Sequence, residues 1–386
     1  MRNNRGNHKE LMSDFDHLVP EHLRTLGGYV PGKSLRQAQR EQAVNCVKMA
    51  SNENPFGPSP KALEAMAAAL AECNFYPDND AHDLRQRLAE RHRVDPEQIV
   101  VSAGSTSLLG IVARTLLSSG LNAVTSKRSF IVYPIATKAA AAKLVEVPMR
   151  EDGFDLDAIA GAIDRNTRIV FIANPNNPTG TMRPAAELDG FLDKLPDYVI
   201  TILDEAYYDF AQYLAELRGV EYSHSLDYVR QGRRVVVLRT FSKAHGLAGV
   251  RVGYGIGPAE LMTHFARMRT TFSVSVVAQA AAFAALEDEE HVRRALINNA
   301  DQSEFLHRAL TDLGLRPVPT WGNFLYCEVG EAAVGIAKRL QAEGILIRPM
   351  GPWGAPNAIR ISIGTPEHNR SFLAAFKKVT AKETVR

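Results

Sequence analysis

Short apolar runs recur along the first two thirds of the chain, at 98–101, 123–125, 144–147, 168–172, 198–203 and 235–238, each separated from the next by a helix-length or longer stretch. Short apolar runs rich in β-branched residues and bounded by turn signals read as buried strands. Their alternation with helices predicts an α/β fold with a mostly parallel central sheet and helices on both faces. The intervening segments carry their own start signals: Ser59-Pro60 before an alanine-rich stretch, and Pro184 opening a segment that runs to 194. The phosphate-side candidate helix is expected over 107–117. After about residue 258 the pattern changes to long helical stretches at 259–271 and 275–313. Strands follow near 324–329, 345–348 and 358–363, then a helix from about Pro366. This predicts a smaller α+β domain. The expected division is a tail over 1–17, a segment over 18–50 that joins the small domain, a large domain over 51–258 and a small C-terminal domain over 259–386. No internal repeat interrupts it.

Composition narrows the chemistry. With 386 residues, 45% of them hydrophobic and 23% charged, the chain can bury a large core. A net charge of +2 without long blocks of one sign argues against nucleic acid as a partner and for small molecules. Cys46, Cys73 and Cys327 are odd in number and far apart, and the eleven histidines show no HExxH spacing. Neither a disulfide framework nor a metal site is expected. The first sixteen residues are polar and charged, and no stretch reaches the ~18 apolar residues of a membrane span. The expectation is a cytoplasmic protein without a membrane partner.

In an α/β sheet, ligand groups gather at the carboxyl ends of strands. The run 235–238 leads into Thr240-Phe241-Ser242-Lys243-Ala244-His245-Gly246-Leu247-Ala248-Gly249-Val250-Arg251. A lysine there can form a Schiff base, and hydroxyls with a guanidinium can hold a phosphate; taken alone, the segment reads more readily as a solvated turn. The run ending at 203 is followed by Asp204-Glu205-Ala206-Tyr207, a carboxylate that either faces a cation or caps a helix. After 172 comes Asn174-Pro175-Asn176-Asn177-Pro178-Thr179-Gly180, an irregular loop able to aim an amide inward or simply to turn the chain. After 101 comes Ser102-Ala103-Gly104-Ser105-Thr106, an anion site at a helix start or a plain N-cap. Gly253-Tyr254-Gly255-Ile256-Gly257 reads as sheet glycines rather than a dinucleotide loop.

In order and spacing these pieces resemble the fold-type I pyridoxal-phosphate aminotransferases, and among them the histidinol-phosphate aminotransferase group. The resemblance spans nearly the whole chain. It also rests on Gly28-Tyr29-Val30-Pro31-Gly32-Lys33, Ser51-Asn52-Glu53-Asn54-Pro55-Phe56-Gly57-Pro58-Ser59, Tyr76-Pro77-Asp78 and Arg360-Ile361-Ser362-Ile363-Gly364-Thr365. It implies that the large domain binds pyridoxal 5'-phosphate. Lys243 would hold the cofactor as a Schiff base and move the substrate proton, and Asp204 would keep the pyridine nitrogen protonated. Asn177 and Tyr207 would donate to the phenolic oxygen, and Tyr133 would stack on the ring, a core tyrosine being the alternative. Ser105, Thr106, Thr240, Ser242 and Arg251 would take the phosphate, joined by Tyr76 from the other subunit of a homodimer with shared active sites. Arg360 would grip a carboxylate. Arg348, Tyr29 and Asn52 would complete the substrate subsite, an ion pair at a surface or interface being the alternative for Arg348.

The resemblance further implies ping-pong transamination in histidine biosynthesis. Glutamate would donate the amino group and leave as 2-oxoglutarate, and imidazole acetol phosphate would accept it. Two segments depart from the group's pattern: Ser105-Thr106-Ser107, where an acidic residue is common, and Thr270-Thr271-Phe272-Ser273-Val274. They leave the cofactor chemistry intact and keep other readings open: an aromatic amino acid aminotransferase, a threonine-phosphate decarboxylase-like lyase, or a non-catalytic binding protein.

Overall fold

A computed structural model describes residues 15–28, 31–33, 35–42, 46–330 and 333–381. Seven strands form the central sheet: β1 (Ile99–Ser102), β2 (Asn122–Ser126), β3 (Lys143–Val147), β4 (Thr167–Ala173), β5 (Ile200–Asp204), β6 (Val235–Thr240) and β7 (Gly253–Ile256). Their order is β1-β7-β6-β5-β4-β2-β3. Only β7 runs against its neighbours, β1 and β6. The carboxyl ends of β1, β4, β5 and β6 therefore share one edge, where Ala173 pairs with Asp204 and Asp204 with Leu238. Every residue of β1, β2 and β6 is buried, which is why these strands read as apolar runs without alternation. The glycine run falls in β7, where Gly255 leaves room for Leu238 and Leu108; a Cβ there would sit 3.3 and 3.5 Å from them.

A second sheet is antiparallel and consists of β8 (Arg316–Val318), β9 (Phe324–Glu328), β10 (Arg348–Pro349) and β11 (Ala358–Ser362), in the order β10-β11-β9-β8. The two-residue strand Val47–Lys48 pairs in parallel with Ile345–Leu346, tying the N-terminal segment to this half.

Two apolar clusters follow the two sheets. The larger runs from Ala62 to Leu286 and includes Met262, Phe265, Ala278 and Ala282. The smaller joins Met49 to Leu306, Ile336, Ile361 and Phe372. Residues 259–286 thus pack on the large core, beyond the boundary expected at 258. The helix expected over 275–313 is two, Val276–Leu286 and Glu289–Asp312, because the Asp288 carboxylate accepts from His291 N and starts a new helix. That carboxylate also accepts from Ser59 Oγ at 2.5 Å, joining the cap to the segment after the Asn52 loop. The stretch expected over 259–271 stops at Arg267, ahead of Phe272 with φ +56°. Among the described residues no helix is long and apolar enough to cross a membrane, and no group of three or more His, Cys, Asp or Glu could hold a metal ion.

Candidate active site

The shared strand edge opens into a cavity of about 540 Å³ between the two sheets. Twelve of the expected site residues line it: Asn52, Ser105, Thr106, Asn177, Asp204, Tyr207, Thr240, Ser242, Lys243, Arg251, Arg348 and Arg360.

Lys243 stands just past β6 and is half-buried. Its Nζ donates to Ser51 O at 3.1 Å and lies 5.6 Å from the centre of the Tyr207 ring. Desolvation, then the charges of Arg360, Arg251 and Lys48 against the opposing Glu53, bring its pKa down to about 8. Asp204 closes β5 and is 5% exposed. Burial raises its pKa to about 6 even though Tyr133 OH donates to Oδ2 at 3.0 Å and Ala206 N to Oδ1 at 3.3 Å. A buried carboxylate held by two donors is set to receive a cation.

Hydroxyls, helix amides and a guanidinium converge on the cavity beside the Lys243 segment. Helix Ser105–Leu116 starts two residues before the expected position, so Ser105 and Thr106 occupy its first turn with the free amides. Thr240 Oγ1 donates to Ser242 Oγ at 3.0 Å, and Arg251 Nη1 donates to Ser242 Oγ at 3.3 Å. Gly104 makes this convergence possible. Its φ is +88°, and a Cβ on it would come within 2.6 Å of Arg251 Nη2.

At the other end, Arg348 on β10 and Arg360 on β11 are cross-strand partners. Arg360 donates through Nη1 to Asn177 Oδ1 at 2.5 Å and through Nη2 to Ala50 O at 2.9 Å. Asn52 has φ +56°, a conformation asparagine tolerates. Its Nδ2 donates to Tyr207 OH at 2.9 Å, and its backbone N donates to Ser362 Oγ at 2.7 Å. Ser362 lies two residues beyond Arg360 on β11, so one strand delivers the arginine and fixes the asparagine that orients Tyr207.

Two expected residues do not line the cavity, Tyr133 and Tyr76. Tyr133 is fully buried: its ring stacks on Phe171 at 4.7 Å and 6°, and its hydroxyl is spent on Asp204. The expectation that it faces the cofactor ring is corrected: of the two aromatics at the start of this helix, Phe130 is the one that lines the cavity. The two lie three residues apart across the start of helix Val132–Ala139, edge to face at 5.8 Å. Tyr76 is 82% exposed and stacked on Phe272 at 4.6 Å, outside the cavity of its own chain. Tyr29 lies outside the described residues. Gly104, Ser362 and Trp353 were missed from sequence. For Gly104 and Ser362 the signal was their place beside Ser105 and Arg360; for Trp353 there was none.

The family profile "Aminotransferase class I and II" matches residues 44–376. Histidinol-phosphate aminotransferase 2 of Pseudomonas fluorescens (strain Pf0-1) is 43% identical over 96% of this chain and the whole of its own length. The histidinol-phosphate aminotransferase of Akkermansia muciniphila is 44% identical over 93% of this chain and 98% of its own. A crystal structure of histidinol-phosphate aminotransferase from Sinorhizobium meliloti in complex with pyridoxal-5'-phosphate superposes with a TM-score of 0.85 at 29% identity, covering 95% of this chain and 98% of that one. With its mostly parallel sheet, the chain has the fold-type I architecture and belongs to the class I and II aminotransferase family, within the histidinol-phosphate aminotransferase group.

Proposed function

We propose that this chain is a pyridoxal-phosphate aminotransferase that exchanges an amino group between glutamate and imidazole acetol phosphate. The cofactor fits the residues present. One end of the cavity offers hydroxyls, helix amides and Arg251 to a phosphate, with Gly104 cleared for them; Asp204 offers a buried carboxylate to a ring cation; Lys243 Nζ lies in the same space. Bound there, pyridoxal phosphate supplies an aldehyde that condenses with amines and a cationic ring that accepts the electrons of a broken Cα–H bond.

The chain's own residues do the rest. Lys243, with a pKa near 8, takes the proton from the substrate Cα and returns it, which needs an amine that is partly unprotonated near neutral pH. Asp204 stays ionised against the ring cation. Tyr207, oriented by Asn52, and Asn177, whose oxygen is engaged by Arg360, hold the cofactor's phenolic oxygen with their donors. Phe130 restricts tilt of the ring.

The observation that carries the substrate reading is the Arg348–Arg360 pair. Two guanidinium groups directly opposite across a ladder repel, and a doubly anionic group bound between them offsets that cost. Phosphate on one substrate and the glutamate carboxylates on the other meet that demand in alternate half-reactions. The relatives' names agree with this choice. The two apolar clusters are read as a large cofactor-binding domain that extends to 286 and a small domain that the N-terminal segment joins. Exposed Tyr76 is read as a donor to the phosphate of a second copy in a homodimer.

The test is a panel of amino acceptors offered to purified protein with pyridoxal phosphate and glutamate, following 2-oxoglutarate. Turnover of imidazole acetol phosphate is expected. Turnover of phenylpyruvate alone replaces this reading with an aromatic one, and carbon dioxide release from threonine phosphate replaces it with a lyase.

A further inference from the structure

Trp353 stands in the short turn Gly351–Trp353 and is 7% exposed. Its ring is backed by a separate apolar cluster of Tyr326, Met350, Ala355 and Ala358. On the other side it lines the active-site cavity. Together with Phe130 it also lines a neighbouring cavity of about 410 Å³, so the two rings form a wall between the spaces. Both arginines of the cross-strand pair reach this indole. Arg348 Cζ lies 5.2 Å from a Trp353 ring centroid and Arg360 Cζ 6.0 Å.

An indole face is the best aromatic surface for a guanidinium. Arg360 is anchored by Asn177 and Ala50 and lies 5.4 Å from the Phe324 ring, and the indole adds the one surface in this group that faces both guanidiniums; a substrate that had to draw two like charges together would do so at the expense of its own affinity. A rigid ring that attracts both removes that cost before the substrate arrives. The benefit falls unevenly. A substrate with a second anionic group engages both guanidiniums, whereas an amino acid with one carboxylate and an apolar side chain engages only one.

We propose that Trp353 is the positioning residue of the anion subsite: its ring holds Arg348 and Arg360 side by side and so sets the preference for substrates with a second anionic group. This rests on the aminotransferase reading for its substrates, but not on which phosphorylated acceptor is used. The contacts of Lys243 and Asp204 described above run to Ser51, Tyr207, Tyr133 and Ala206, whereas the Trp353 ring meets the two arginines, so its effect is expected on binding rather than on the chemical step.

The holoenzyme variants Trp353→Phe and Trp353→Met separate a π surface from mere volume. Trp353→Phe is expected to keep the KM for glutamate and the competitive inhibition constant of inorganic phosphate within about threefold. Trp353→Met is expected to raise both about tenfold, with kcat and the visible cofactor spectrum unchanged. Equal effects of Phe and Met overturn the proposal, and so does a loss confined to kcat. A second readout needs no turnover. The chain has two tryptophans, so Trp321→Phe leaves Trp353 as the sole indole. Its emission is expected to shift on titration with inorganic phosphate, and a flat titration overturns the proposal. Should imidazole acetol phosphate not react, the substrate assignment fails, while the glutamate and phosphate series still decides the role of Trp353.

Discussion

A lysine in a desolvated cavity costs stability that its chemistry requires. With a folded pKa of about 8 against 10.5 in the unfolded chain, the buried ammonium destabilises the empty protein in full below pH 8. Between 8 and 10.5 the unfolded chain holds the extra proton, so stability rises with pH and the cost disappears above that window. Lys243→Met should therefore stabilise the cofactor-free protein at pH 7 by about 2 kcal/mol, after discounting for the water in the cavity, and abolish transamination. Thermal unfolding of both proteins at pH 7 and pH 10.5 checks it: the difference should close at the higher pH. Asp204 poses the mirror problem, because burial raises its pKa to about 6 while the Tyr133 hydroxyl works against that rise. Tyr133→Phe removes the donor and raises the carboxyl further. The pH-dependent loss should be about 1 kcal/mol at pH 7, because at a folded pKa near 6 the carboxyl protonates rather than bear a larger cost, and it should be absent below about pH 4, where the carboxyl is protonated folded or unfolded. Denaturant unfolding at the two pH values measures this, and the acid limb of cofactor binding should move to higher pH. Lysine and aspartate were legible in the sequence because each follows an apolar run. Which of Phe130 and Tyr133 meets the cavity was not, since both are aromatic and the sequence does not say that Asp204 draws the phenol inward.

At the scale of elements, apolar runs mark strands of a sheet buried on both faces, and the strand ends then mark the edge where the chemistry gathers. What local pattern does not carry is a backbone that depends on a distant side chain. Gly104 looks like any loop glycine, yet it caps helix Ser105–Leu116 at φ +88° with Arg251 passing where a Cβ would be. Gly104→Ala must either push the guanidinium away or turn the first helical amides off the phosphate. Cofactor affinity should fall by roughly 100-fold, the scale of one or two charge-assisted hydrogen bonds, while far-ultraviolet circular dichroism stays that of the parent. Absorbance titration with pyridoxal phosphate gives the number, and an unchanged affinity would show that the cradle adapts. The break at Asp288, by contrast, had a local signal that the expected single helix passed over: Glu287-Asp288-Glu289-Glu290 offers a capping carboxylate and an acidic first turn. Only the tie from that carboxylate to Ser59 depends on the fold.

For the whole molecule, the exposed aromatic at position 76 is the feature one chain does not explain. Tyr76 is 82% exposed, stacks among the described residues on Phe272, itself 40% exposed, and stands outside the cavity that holds the other phosphate donors. Phe75 and Leu70 beside it are also exposed, an apolar patch of the kind that a second copy covers. If each subunit lends its Tyr76 to the other's site, two defects in different chains must complement. A Tyr76→Ala chain retains its own Lys243 but lacks the donor for its partner; a Lys243→Ala chain retains the donor but has no working site. Each homodimer is impaired in both sites, whereas the mixed dimer contains one site with a native lysine and a native tyrosine. Unfolding and refolding an equal mixture pairs half the subunits heterologously, so activity should recover to about a quarter of wild type if the pairing is random. Recovery should depend on protein concentration, because it needs the dimer. A mixture no more active than the average of its two parents would confine Tyr76 to its own subunit and leave the phosphate to Ser105, Thr106, Thr240, Ser242 and Arg251 alone.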